Sequence, residues 1–211
     1  MANHIVRNQK GMAAVEFSVL VSIALLIIFV IVDFGTLIQA QAVVTNITRE
    51  GGSLASRDLK NGSDLLDLMA ESSAPLNFTQ NPELYKIYLA KADAGENASN
   101  PDPTCTVQEL GSLDAIAGNG VDSPANSPTC DLPQNLYDLL KYDDSVEVQA
   151  APISQFTIVK VYYVHQPVTP LEEFFNASGH TVNNYDLYDE LGQYGQDGES
   201  DGILITSKAV F

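Results

Sequence analysis

The sequence predicts an α+β fold, and three observations lead to it. An almost wholly apolar block over 12–32 opens the chain and runs into a helical pattern with no Pro before Pro75. Residues 94–130 are rich in Gly, Pro, Asn and Ser, with PDP and SPANSP, a composition that suits a long surface excursion. β-Branched and aromatic runs come late, at 155–164 (QFTIVKVYYV) and 203–211. A long N-terminal helix carrying a small antiparallel sheet and short helices accommodates all three.

The apolar block comes first because it decides where the rest of the chain lies. As a helix, 12–32 rises about 30 Å, enough to cross the hydrocarbon of a bilayer. Arg7 and Lys10 precede it and no basic residue follows until Arg49. The positive-inside bias therefore leaves the N-terminal peptide in the cytoplasm and exports the remainder. The formal net charge is -17, with 7 Lys+Arg against 24 Asp+Glu beyond Gly51. Nucleic acid is excluded as a partner, since phosphate binding needs a basic face.

Glu16 is the only strongly polar residue in the block. A carboxylate near hydrocarbon costs on the order of 2 to 3 kcal/mol and calls for a partner. Cleavage after Gly11 would supply one, because Met12 would gain a free α-amino group one helical turn from Glu16. In an assembled array the amine of a neighbouring subunit could serve and would set the register of stacked helices. The alternative is a Glu at the headgroup boundary.

Gly11 followed by MAAVEF, with Glu16 and Phe17 at the fifth and sixth places, resembles the prepilin-peptidase site of type IV pilins in the Glu-aromatic form of the Tad (Flp) branch. Residues 32–35 (VDFG) and 48–51 (TREG) resemble two further landmarks of TadE-like minor pseudopilins, in the same order. The likeness covers roughly the first 57 residues; it departs at Thr36 and the neutral run to Ile47, where many relatives carry a basic residue. The resemblance implies a leader over 1–11, a span and stalk helix over 12–57, and an exported acidic domain over 58–211. It implies cleavage by a prepilin peptidase at Gly11 and Met12, with Glu16 and Phe17 completing the site. Implied partners are the major pilin, other minor pseudopilins and the inner-membrane assembly platform. The implied location is the inner membrane, single-pass with a periplasmic C-terminal domain, and then the pilus at the cell surface. Implied work is assembly, priming or tip function, including adhesion.

Beyond the span, Leu37, Ile38, Ala42, Val44, Ile47 and Leu54 approximate a helical stripe. Gly35, Gly51 and Gly52 are its weak points, so a bend at Gly35 or an end at Gly51 is expected. Asp33 falls where the span emerges; it reads as an interfacial residue facing water, against a second buried charge. Arg49 and Glu50 read as an assembly contact or as an exposed, self-satisfied helical pair.

In the exported part, 61–69 and 81–92 show helix-start residues and amphipathic spacing, and 135–142 reads as another short helix. Strands are expected at 146–150, 155–164 and 203–211, with Phe156, Ile158, Val161 and Tyr163 as candidates for burial against the stalk. Cys105 and Cys130 are the only cysteines. One disulfide stapling the ends of the 94–130 loop is their natural pairing in an oxidising compartment, with two buried thiols as the alternative.

No catalytic set emerges: His4 lies in the leader, and neither His165 nor His180 pairs with a nucleophile or ligand cluster. Enzymatic function and a bound cofactor are not expected. Asp197, Glu199 and Asp201 resemble the opening of an EF-hand loop, but Lys208 stands where its bidentate Glu should be. A weak Ca²⁺ site is therefore set against an acidic turn. The Asn-x-Ser/Thr triplets at Asn46, Asn61, Asn77, Asn97 and Asn176 are the chance matches expected of a bacterial chain. Two rival readings remain: an ordinary secreted protein cut at Ala40-Gln41-Ala42, and an uncleaved signal anchor for an adhesin.

Overall fold

The computed structural model describes residues 3–57, 62–113, 124–127, 129–143, 153–169, 193–194 and 202–211, with the backbone alone for 3–11, 126, 193–194 and 202. Its elements are α1 (Asn3–Ala55), α2 (Gly62–Glu71), β1 (Tyr85–Asp93), β2 (Thr104–Leu110), α3 (Gln134–Leu140), β3 (Gln155–His165), β4 (Gln193–Tyr194) and β5 (Gly202–Val210). The strands form one sheet in the order β2-β1-β3-β5-β4, every neighbouring pair antiparallel. The α+β plan holds.

α1 is a single uninterrupted helix, so the expected end at Gly51 is not there. The physical reason is close approach: a Cβ on Gly51 would lie 2.6 Å from Met69 Cε, and one on Gly52 would run into the Phe211 ring. Both glycines trade helix propensity for contact with α2 and the end of the sheet. Ala40, Val44, Ile47 and Ala55 lie on the same buried stripe. Thr48 is buried there too, and donates its hydroxyl to the Val44 carbonyl at 2.7 Å.

β3 lies along this outer half of α1 and runs back toward the span. At one end Phe211, bonded through its backbone to Thr157, covers Gly52; at the other His165 comes to Thr36. Side chains alternate across a strand, so Val159, Val161 and Tyr163 face α1, together with Ile87, Leu89 and Ile205 of the neighbouring strands. α2 closes this layer through Leu65, Leu66 and Met69, and Phe78 stacks on Tyr85 with ring centroids 4.4 Å apart.

Phe156 and Ile158 have the opposite parity and lie on the far face, correcting their expected placement beside Val161 and Tyr163. Ile158 packs there with Ala90, Cys130, Leu132 and Leu140. The bridge between Cys105 and Cys130 is formed, with Cα atoms 5.7 Å apart, and ties edge strand β2 to this layer. Lys160 and Lys208 are directly opposed in register, an arrangement that is repulsive by itself. Asp131 answers both, at 3.0 and 2.7 Å. Burial works to raise its pKa, but hydrogen bonds from Lys208 and Lys160 outweigh it and hold the carboxyl below its usual value.

Two further expectations are corrected. Residues 81–92 form a 3-10 turn and then β1 rather than a helix. β1 is central and buried on both faces, which produces a nearly continuous apolar run that periodicity does not separate from a helix. Residues 94–130 are not all loop, because Thr104–Leu110 pairs with β1 as β2. Helices near 61–69 and 135–142 are present as α2 and α3. The strand expected at 146–150 lies outside the described residues.

Candidate functional site

The features that bear on function are distributed along α1. Gly11 and Met12 lie in continuous helical backbone, and the side chains of Met12, Glu16 and Phe17 are exposed. Glu16 has no ion-pair partner among the described residues. From Met12 to Ile38 large apolar side chains project all round the helix; Phe17 is 68% and Ile31 64% exposed. Among the described residues this is the one helix long and apolar enough to cross a membrane.

Asp33 marks the transition between bare and covered helix. It lies about 32 Å above Met12 by the helical rise, close to the thickness of a hydrocarbon core. Its carboxylate is half-buried and accepts the backbone N–H of Val168 at 3.1 Å and of Thr169 at 3.0 Å, together with the Thr169 hydroxyl. The segment after β3 is thereby clamped to the helix where its bare half ends. One turn farther out, Thr36 Oγ1 lies 3.5 Å from Nε2 of His165. His165 is buried; desolvation pushes its pKa below the usual value, and the Asp33 charge opposes that shift. Asp33 is partly exposed, and its charge is met by directed N–H and O–H groups.

Arg49 and Glu50 are exposed on the outer half, and neither forms an ion pair among the described residues. Glu16, Asp33 and Arg49 follow one another at intervals of about 25 Å along the helix, so the structure does not gather them into one site. The clamp on Asp33 escaped sequence reading because its halves are 135 and 136 residues apart. The Asp131 bridge to Lys160 and Lys208 escaped for the same reason.

Among the described residues no group of three or more His, Cys, Asp or Glu could hold a metal ion. Asp197, Glu199 and Asp201, the candidate Ca²⁺ ligands, lie outside the described residues, as does His180.

Residues 11–53 match the family model described as TadE-like protein. The match begins at Gly11 and covers α1 to within two residues of its end, including Asp33, Arg49, Glu50 and Gly51. It is consistent with a TadE-like protein of a Tad pilus system. Comparison with curated proteins and with solved structures gave no significant match.

Proposed function

We propose that this TadE-like, Tad pilus-associated chain is a minor pseudopilin, cut by a prepilin peptidase between Gly11 and Met12 and incorporated through its bare apolar helix. The observation that carries the reading is Glu16, an exposed carboxylate one helical turn from Met12 in a segment that has the family match. Cutting there places an α-amino cation on the same helix face as the acid. In the assembled fibre the cation is that of a neighbour, so each helix locks at one register against the next. The exported acidic domain rides on the outer half of α1 and faces the periplasm, later the cell surface. The major pilin, sister pseudopilins and the inner-membrane platform are the partners, and priming, assembly or presentation of an adhesive tip is the work.

An ordinary signal sequence fits the packing less well. Cleavage after Ala42 would discard Ala40, a fully buried residue of the helix–sheet core, and Asp33, which anchors the segment after β3.

Mass spectrometry of the mature N-terminus tests the proposal. The expected first residue is Met12; a chain starting at Met1, Ala2 or Val43 would overturn it. Glu16→Ala is expected to insert normally yet fall at least about tenfold in fibre incorporation, the size of effect that follows from losing roughly 1.4 kcal/mol of buried pairing. Normal incorporation of that variant would remove Glu16 from the assembly role.

A further inference from the structure

We infer that residues 166–169, held down by Asp33, form a foot that rests on the membrane surface, with Val168 inserted at the boundary between lipid headgroups and acyl chains. The inference rests on reading α1 as a membrane span.

The route of the chain is the first ground. β3 descends along α1 toward the span: His165 lies beside Thr36, and the next residues reach Asp33, one turn closer to the bare helix. Asp33 itself lies where the hydrocarbon should end. Val168 is 66% exposed, and Val168 and Phe211 are the only exposed large apolar side chains outside α1 among the described residues. Phe211 lies at the opposite end of the sheet, over Gly52, about 28 Å farther along the helix than Asp33. Val168 is therefore the exposed apolar group that continues the lipid-facing surface of the span.

Backbone chemistry is the second, independent ground. A segment entering a water-poor layer must have its N–H groups satisfied. Pro167 has none, and those of Val168 and Thr169 are both taken by the Asp33 carboxylate. The same bonds, with that of the Thr169 hydroxyl, direct donors at the one acid in this stretch and offset its proximity to lipid. An apolar side chain on a backbone whose positions 167–169 offer no free donor suits the depth of about 5 to 10 Å at which interfacial segments rest. The partner is the lipid surface, before the subunit leaves it for a fibre.

The chain contains no Trp, so a single substitution reports one position. The full chain carrying Val168→Trp would be reconstituted in phosphatidylcholine vesicles brominated either on the upper acyl carbons or near the acyl ends. Val30→Trp, inside the span, and Phe211→Trp, at the far end of the domain, serve as references. The expected result is a blue-shifted emission at position 168, quenched more strongly by the upper bromines than by the deep ones. Position 30 should be quenched by the deep bromines and position 211 by neither. Emission at 168 that matches 211 while 30 is quenched would overturn the foot and leave the span intact. No quenching at 30 would overturn the span and the foot with it.

Discussion

The two halves of α1 have the same secondary structure and opposite surroundings. Over the inner half, Val, Leu, Ile and Phe project in every direction and are left uncovered by the described residues. Over the outer half a narrow stripe of Ala40, Val44, Ile47, Thr48, Gly51, Gly52 and Ala55 is buried, while Gln41, Asn46, Arg49 and Glu50 face outward. Bulk on all sides suits a fluid solvent that needs no complementary shape. A stripe of small residues suits a sheet, because it lets backbones come close enough for Met69 and Phe211 to sit on glycine. The arrangement of side-chain size around the helix, beyond total apolarity, separates a face packed by protein from one left bare.

The largest effect is expected at Val44. It is fully buried between α1 and the sheet, so Val44→Asp places an unpaired carboxylate in the core and should remove at least about 4 kcal/mol from the helix–sheet domain. Ile28→Asp in the inner half should leave that domain folded and instead weaken insertion by about 3 kcal/mol. Protease resistance of the domain and protection of the span in vesicles read the two effects separately. Identical losses of domain stability would show that the halves are not independent.

Glycine sharpens the contrast with a smaller effect. Gly51→Leu drives a side chain into buried Met69 and should cost about 1 to 3 kcal/mol, as overpacking does. A Cβ at Gly35 meets nothing within 4 Å, so Gly35→Leu should gain up to about 1 kcal/mol of helix propensity. Thermal unfolding of the two variants should shift in opposite directions. Asp33→Ala is expected to follow at about 1 kcal/mol, since it leaves two backbone donors without their acceptor. Amide exchange at Val168 and Thr169 should quicken several-fold while β1 and β3 stay protected.

These regions also differ in how far the sequence revealed them. The inner half is set by local rules of length, apolarity and flanking charge, and those could be read directly. β3 and β5 were legible because Val, Ile and Tyr cluster in them. β1 was not: Ala90, Lys91 and Ala92 favour helix intrinsically, and only pairing with β2 and β3 on its two sides makes a strand of them. β2 was hidden in a stretch otherwise marked as loop. Gly51 and Gly52 read as weak points of the helix because the sequence does not show that Met69 and Phe211 occupy their Cβ space. The Asp33 clamp depended on where β3 ends, a tertiary fact with no local signature.

The smallest expected effect lies at the junction of the two halves, in the titration of His165. Burial lowers its pKa below the ordinary 6.5, and Asp33 works in the opposite direction. As pH falls from 7.5 the unfolded chain takes up the proton first, so the unfolded state binds more protons and stability declines through the window around and below 6.5. Above that window His165 is neutral in both states and contributes no slope. Tyr163, whose ring centroid is 6.3 Å away, has its own pKa raised by burial and stays neutral throughout. Thermal midpoints at pH 7.5 and 5.5 should therefore differ more in the native chain than in His165→Gln, which also discounts the other histidines. Asp33→Ala should enlarge the difference, because it removes the charge that favours the protonated ring. An unchanged difference in His165→Gln would mean that the ring beside Thr36 is already hydrated, and that the covered half of the helix begins farther out than Thr36.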